Sequence, residues 1–452
     1  MTINRVFVAN RGEIAVRIIR AAHALGIETV QAVSAVDRDS MATDIADRTV
    51  VLGPAPSRDS YLNAKLVVHA ALQTQCDALH PGYGFLAERA ELATLCDDND
   101  ITFIGPSAAT IEVLGDKLRA RALALAAGVP LVPGTDSIAN VERAKIEAAA
   151  IGYPVVMKAA AGGGGRGMFI ARDADDLAAS FDQSGAEAAE AFGDGTLYME
   201  RFVGNARHVE VQLLGDGTGK VIHFGERDCS TQRRYQKVVE EAPCAIMPAV
   251  VRAALHAVAV KLLSKMKYCN AGTVEFLYDV DAQQFYFIEV NTRIQVEHPV
   301  SEQVTGADLV QLQFRVAAGE PLDFDQKHIM VNRHSIECRI NAEDAARDFR
   351  PCPGRITRWH PPRGAGIRVD SHCREGALVP PYYDSMIGKL IVTANDRMSA
   401  IRRLITALDD FTIEGVTTNL PLLRVIARHE DFQANQISTR WLEEHVLPAF
   451  QN

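Results

Sequence analysis

Residues 285–299 read FYFIEVNTRIQVEHP. From Glu289 to Glu297 every odd position is polar: Glu289, Asn291, Arg293, Gln295 and Glu297. The even positions Ile288, Val290, Ile294 and Val296 are apolar, with Thr292 the exception. A period of two belongs to an extended chain, which would line the five polar groups along one face. Residues 272–278 (GTVEFLY) read as a preceding strand and residues 279–284 as the turn between them. A hairpin turning about Ala282 sets Glu275 against Glu289, so two carboxylates and the Asn291 amide should converge. Oxygen donors of this kind suit Mg²⁺, which uses one or two carboxylates together with substrate phosphates. Farther along, Arg293 and Glu297 offer an anion clamp and a base. The plain alternative is an antiparallel strand with one wet face.

At 452 residues the chain should hold about three domains. Its net charge of −10 argues against a general nucleic-acid binder, so basic clusters are read as local sites. The eight cysteines are scattered without a CxxC pair, as expected of free thiols in a reducing cytosol. No signal-peptide pattern opens the chain, and no apolar run approaches the roughly 18 residues of a membrane span. A cytoplasmic protein is expected.

The first third alternates strand and helix: strands at 5–9, 29–36, 78–79 and 101–104, helices at 12–25, 61–72 and 89–99. This predicts a parallel sheet with covering helices. The first turn, Asn10-Arg11-Gly12-Glu13, lacks the GxGxxG fingerprint, which excludes a nicotinamide site. The loop at 80–85 (HPGYGF) follows a strand, where such sheets bind ligands, and Tyr83 offers a flat face with a hydroxyl. Residues 154–158 and 168–171 read as two strands around AAAGGGGRG, a hairpin flap whose glycine N–H groups can cover phosphates beside Lys158. An extended stretch at 197–202 brings Glu200, placed to hydrogen-bond an adenine amino group. Residues 207–212 form a strand with His208 and Glu210 on one face. The segment 226–241, ERDCSTQRRYQKVVEE, carries Lys237, placed near bicarbonate or a terminal phosphate. A solvated loop is its plain alternative. Cys229 reads as a buried inert thiol, lacking a neighbouring His and Asp to activate it.

Taken together, these stretches resemble biotin carboxylase, the ATP-grasp component of biotin-dependent carboxylases. The resemblance runs over nearly the whole chain: ANRGEIAVRIIRA (9–21), HPGYGFLAE (80–88), GDK (115–117), GGGGRGM (162–168), ERDCSTQRR (226–234) and QKVVEEAP (236–243). It continues through EFLY (275–278), EVNTRIQVEHPV (289–300), ECRINAED (337–344) and PPYYDSMIGKL (380–390). The resemblance implies an α/β protein: a Rossmann-like domain at 1–115, an ATP-grasp domain at 116–330 with a mobile lid at about 131–203, and a C-terminal domain at 331–447. Lys117 and Lys158 would hold ATP phosphates, with Gly164 and Gly165 capping them. Glu200, Arg201, Phe202 and Val203 would contact adenine, with His208 near the phosphates. Glu275, Glu289 and Asn291 would bind two Mg²⁺ or Mn²⁺ ions. Lys237, Arg293, Gln295 and the backbone of Val296 would hold bicarbonate, with Glu297 as its base. Arg339 would stabilise the biotin enolate, and Tyr83 would border the biotin pocket.

Two positions depart from the family pattern. Ala161 stands where the glycine run usually begins, and Tyr235 stands where a nucleotide-side histidine is usual. Altered nucleotide affinity is the expected consequence. The implied reaction is ATP-dependent carboxylation of biotin, by way of carboxyphosphate, on a separate carrier protein. A separate carboxyltransferase would then serve acetyl-CoA, another acyl-CoA, pyruvate, 2-oxoglutarate or urea. A homodimer is implied as well. The rival readings are an ATP-grasp ligase joining a carboxylate to an amine, and a catalytically silent nucleotide-binding regulator.

Overall fold

The computed structural model describes residues 2–160 and 168–450, so the expectations for Ala161, Gly164 and Gly165 lie outside the described residues. The N-terminal strands are β1 (Arg5–Val8), β2 (Glu28–Ser34), β3 (Arg48–Gly53), β4 (Ala78–His80) and β5 (Thr102–Phe103). They form a parallel sheet in the order β3-β2-β1-β4-β5. The edge strand β3 was not expected, because half of its residues are exposed and Leu52 alone is buried, so it shows no buried stripe. The helix Gly12–Ala24 buries Ile14, Ala15, Ile18, Ile19 and Ala22, one apolar face at helical spacing. After β4 the chain turns sharply through Gly82, at φ +64°. A Cβ there would lie 2.9 Å from the Asn10 amide nitrogen, which itself donates to Pro81 O and Tyr83 O. Glycine is therefore required, and the turn holds Tyr83 at the mouth of the site.

The expected flap hairpin is present as β6 (Val155–Ala159) and β7 (Met168–Ala171), with Lys158 opposite Met168. It joins β8 (Leu197–Arg201) in a three-stranded antiparallel sheet. The helices Val141–Ile151 and Ala174–Phe192 cover this sheet, closing a small core around Val155, Met157, Leu177 and Met199.

The largest sheet contains β9 (Ala206–Asp216), β10 (Val221–Arg233), β11 (Gln236–Ala242), β12 (Cys269–Asp279), β13 (Gln284–Asn291) and β14 (His334–Asn341). Met386–Ala394 and Ile367–Ser371 complete it. The order is β13-β12-β9-β10-β11-β14, then Met386–Ala394 and Ile367–Ser371. The sheet thus runs unbroken past residue 330, because β11 pairs directly with β14. The charged segment 226–241 is not a solvated loop. It forms most of β10 and β11, and apart from the exposed connection Arg234–Gln236 most of its polar side chains are buried.

The alternating stretch requires one correction. Strand β13 ends at Asn291, and residues 292–297 leave the sheet before the helix His298–Thr305 begins. Parity therefore accounts for Glu289 and Asn291 but not for Arg293, Gln295 or Glu297. Glu275 does face Glu289, and Thr273 faces Asn291. The register then slips, so that Phe276 faces Phe287 and Ile288 is the extra residue of a bulge.

The helix His298–Thr305 is pinned to the sheet by Arg227. This fully buried guanidinium donates to Glu210 at 2.6 Å, Gln212 at 2.8 Å, Ser301 at 3.0 Å and Thr273 at 3.3 Å. Arg227→Met would leave the fully buried Glu210 with one of its two cations, Lys237, and without the other. A loss of about 3–5 kcal/mol is expected, read as a lowered denaturant midpoint.

Candidate active site

A cavity of about 880 Å³ runs between the N-terminal sheet, the three-stranded unit and the large sheet. Lys117, Lys158 and Glu200 line one end, His208, Glu275 and Glu289 the middle, and Lys237, Glu297, Arg339 and Tyr83 the other end. Its size suits a substrate larger than a single anion.

Lys237 is the hub. Its ammonium donates to Glu210 at 2.6 Å, Glu275 at 3.0 Å and Glu297 at 2.6 Å. Burial opposes its charge, but the three carboxylates outweigh burial and hold it well above the usual lysine range. Glu297 sits at the N-cap of the helix His298–Thr305 and is fully buried. Its second oxygen accepts from Arg339 at 3.0 Å. Burial alone would raise Glu297, yet Lys237, Arg339 and Arg227 keep it below the ordinary carboxylate value. Glu297 is thus an ionised carboxylate held between two cations. Cys229 lies 3.9 Å from it, and burial pushes the thiol well above its usual range, as expected of an inert sulfur.

Glu275 and Glu289 face each other on β12 and β13. Glu275 accepts from Lys237, from Asn291 at 2.9 Å and from His208 at 2.9 Å. Against burial, Lys237 and His208 hold it well below the carboxylate range, while Glu275 in turn raises His208. Glu289 differs: among the described residues nothing donates to its carboxylate. Burial and the charge of Glu275 push its pKa up. A divalent cation between the two carboxylates would relieve that repulsion, so the donors fit Mg²⁺ or Mn²⁺. Asn291 is close enough to join them, with its amide oxygen accepting from Arg293 at 3.1 Å. A different trio, His208, Glu210 and Glu275, places its ligand atoms within 4.8 Å of one another. We favour the facing carboxylates as the cation site, because Lys237 already occupies the space between Glu210 and Glu275.

Arg293 is half-buried and anchored by Glu88 at 2.8 Å and by the Gln295 amide oxygen at 2.6 Å. The carbonyl of Val296 accepts from Lys389 at 2.8 Å, and Lys389 also pairs with Glu13 at 3.0 Å. Tyr83 gives its hydroxyl to Glu13. At the opposite end Glu200 is held by Arg121 and Lys158 together. Lys117 opens the helix Lys117–Ala127, close enough to Glu289 to be felt by it. Arg201, Phe202 and Val203 do not line the cavity. Arg201 reaches Tyr286, and Phe202 lies under Arg440. Tyr235 lines the rim at φ +65°, in the tight connection between β10 and β11.

Sequence reasoning gave no role to Glu13, Glu88, Arg121, Glu210, Glu240 or Lys389. Glu13, Glu88, Glu240 and Lys389 fall inside the motifs that carry the resemblance, and Lys389 also stands as a lone charge in the apolar run MIGKLIV.

Three family models match. Biotin carboxylase, N-terminal domain, covers residues 2–111; Carbamoyl-phosphate synthase L chain, ATP binding domain, covers 116–325; Biotin carboxylase C-terminal domain covers 337–444. Biotin carboxylase 1 of Bacillus subtilis is 48% identical over 444 residues, 98% of this chain and 99% of that one. A crystal structure of a biotin carboxylase–βγ-ATP complex from Campylobacter jejuni superposes with a TM-score of 0.94 at 45% identity, covering 98% of this chain and 99% of that one. The biotin carboxylase domain dimer of Hydrogenobacter thermophilus 2-oxoglutarate carboxylase, with MgADP, ADP and bicarbonate, superposes at 0.93 and 46% identity, covering 100% and 99%. This chain belongs to the biotin carboxylase family of ATP-grasp ligases.

Proposed function

We propose that this chain carboxylates biotin borne on a separate carrier protein, using bicarbonate and ATP, and hands the carboxyl group to a separate carboxyltransferase. One observation carries the reading. A single cavity joins a lysine-lined end, two facing carboxylates, and an ionised Glu297 between Lys237 and Arg339. Lys117 and Lys158 attract the ATP phosphates. The flap β6–β7 leads into residues 161–167, where Gly164 and Gly165 would cap them. Glu200, with Arg201, Phe202 and Val203 beyond it, marks the adenine end, and His208 and Tyr235 border the nucleotide. Glu275, Glu289 and Asn291 hold Mg²⁺ or Mn²⁺, which when bound supplies charge neutralisation on the phosphates.

Lys237, Arg293, Gln295 and Val296 hold bicarbonate beside Glu297. Glu297 takes the bicarbonate proton, and the freed oxygen attacks the γ-phosphorus as the bond to the ADP oxygen breaks. The resulting carboxyphosphate splits into CO₂ and phosphate. That phosphate takes the ureido N–H proton, and the nitrogen bonds to CO₂. Arg339 stabilises the oxyanion on the ureido carbonyl, while Tyr83 walls the biotin side. Phosphoryl transfer depends mainly on positioning and charge, which this array of fixed cations supplies.

Among the described residues no helix is long and apolar enough to cross a membrane. The eight unpaired cysteines suit a reducing compartment, and we place the enzyme in the cytoplasm. The dimeric Hydrogenobacter relative supports a homodimer.

Purified protein should hydrolyse ATP only when bicarbonate is present, and faster with free biotin; ATPase activity indifferent to both would contradict the proposal. Glu297→Gln should lower bicarbonate-dependent turnover about 10²–10⁴-fold, with ATP affinity measured by calorimetry little changed. Lys237→Gln should raise the pKa of Glu297, because the cation that outweighs burial is gone. The acid limb of kcat/KM for bicarbonate should then move to higher pH, whereas a base governed by burial alone would leave it in place.

A further inference from the structure

Arg339 is the group that the proposed chemistry brings to biotin, yet in the folded chain it is gripped from two sides. One NH₂ donates to Glu297 at 3.0 Å, and Nε donates to Glu240 at 2.6 Å. These anchors differ in kind. Glu297 lines the cavity and changes charge during the reaction. Glu240 lies on β11, fully buried and outside the cavity lining, where no substrate reaches it. From the antiparallel pairing of β11 and β14, Glu240 is opposite Glu337 and diagonal to Arg339, so two rigid strands set the geometry of the contact.

We infer that Glu240 is the positioning residue for Arg339, holding the guanidinium by Nε so that its outer nitrogens stay aimed at biotin when Glu297 becomes neutral. The inference rests on the reading of Glu297 and Arg339 given above. When Glu297 takes a proton, its attraction for Arg339 falls, and a guanidinium tied only to Glu297 would be released at the step where biotin needs it. A second, buried carboxylate on a strand prevents this. Burial and the charge of Glu297 push Glu240 up to about 7, against the pull of Arg339. The facing Glu337 makes no hydrogen bond through either oxygen, and burial drives it well above the carboxylate range. Facing carboxylates on one strand pair disfavour each other's charge unless a cation compensates both. Of the two only Glu240 bonds a cation, so the charge of the pair falls preferentially on Glu240 and the proton on Glu337.

Glu240 also acts on the base through space. Glu297 is faced by Lys237 and Glu240 from β11, Arg227 and Cys229 from β10, Glu210 from β9, Arg339 and Glu337 from β14, and Arg293 from its own loop. Neutralising Glu240 leaves Arg339 compensated by Glu297 alone, which stabilises the Glu297 carboxylate. This shift is opposite in sign to that of Lys237→Gln.

The test measures biotin-dependent turnover, KM for ATP, and the pH profile of kcat/KM for bicarbonate in Glu240→Gln, Glu240→Asp and Glu337→Gln. Glu240→Gln should lower biotin-dependent kcat at least tenfold, keep KM for ATP within twofold, and move the acid limb to lower pH. Glu240→Asp retains the charge on a shorter arm, so it should keep the wild-type acid limb and recover part of the kcat. It also carries the test if Glu240→Gln does not fold. Glu337→Gln, equally deep but not bonded to Arg339, should stay within twofold of wild type throughout. Wild-type-like kcat and acid limb in Glu240→Gln would overturn the inference, as would a Glu337→Gln variant that reproduces its losses. Absence of bicarbonate dependence in the wild-type chain would instead overturn the functional reading on which the inference rests.

Discussion

The site depends on one ammonium shared by three carboxylates. Lys237 touches Glu210, Glu275 and Glu297, which come from β9, β12 and the N-cap of the helix His298–Thr305. Three buried carboxylates would not ionise together without it, since each would repel the others in a weakly screening interior. Arg227, Arg339 and His208 complete the compensation from the remaining sides. Glu297 can therefore be both buried and ionised, the combination that its proposed role as base requires.

Such a cluster is worth little to stability, because desolvating the charges offsets their mutual attraction. Its value is positional. Each charged group sits on a strand or at a helix start, and every strand that contributes belongs to the large sheet. Because β11 pairs with β14, Arg339 is held in register with Lys237 and Glu240 although roughly a hundred residues separate them. Lys389, on the next strand, carries the same connection onward to Glu13 and Val296 O, tying the N-terminal helix to the loop that leads into Glu297.

The alternating stretch that most constrained the sequence reading shows where such reading ends. Residues 289–291 are read correctly by parity, and Glu275 is placed opposite Glu289. The same parity fails from Thr292 onward, where the chain leaves the sheet. Arg293, Gln295 and Glu297 nonetheless line the same cavity, held by Glu88, by one another and by Lys237 rather than by a strand. The segment 226–241 illustrates the opposite case. Its charge density resembles a solvated loop, but Arg227, Lys237, Glu240 and Glu241 each meet a buried or half-buried partner distant in sequence.

Local patterns alone determined the parallel N-terminal sheet, the flap hairpin, the facing pair Glu275 and Glu289, and, through motif resemblance, the family. These are legible because alternation, helical spacing and glycine placement act between near neighbours along the chain. Only the tertiary structure decided which charges pair: Lys237 with three carboxylates, Arg339 between Glu240 and Glu297, and Glu200 between Arg121 and Lys158. The physical reason is that an ion pair's strength is set by distance and burial, and both arise from strand pairings that no local period encodes.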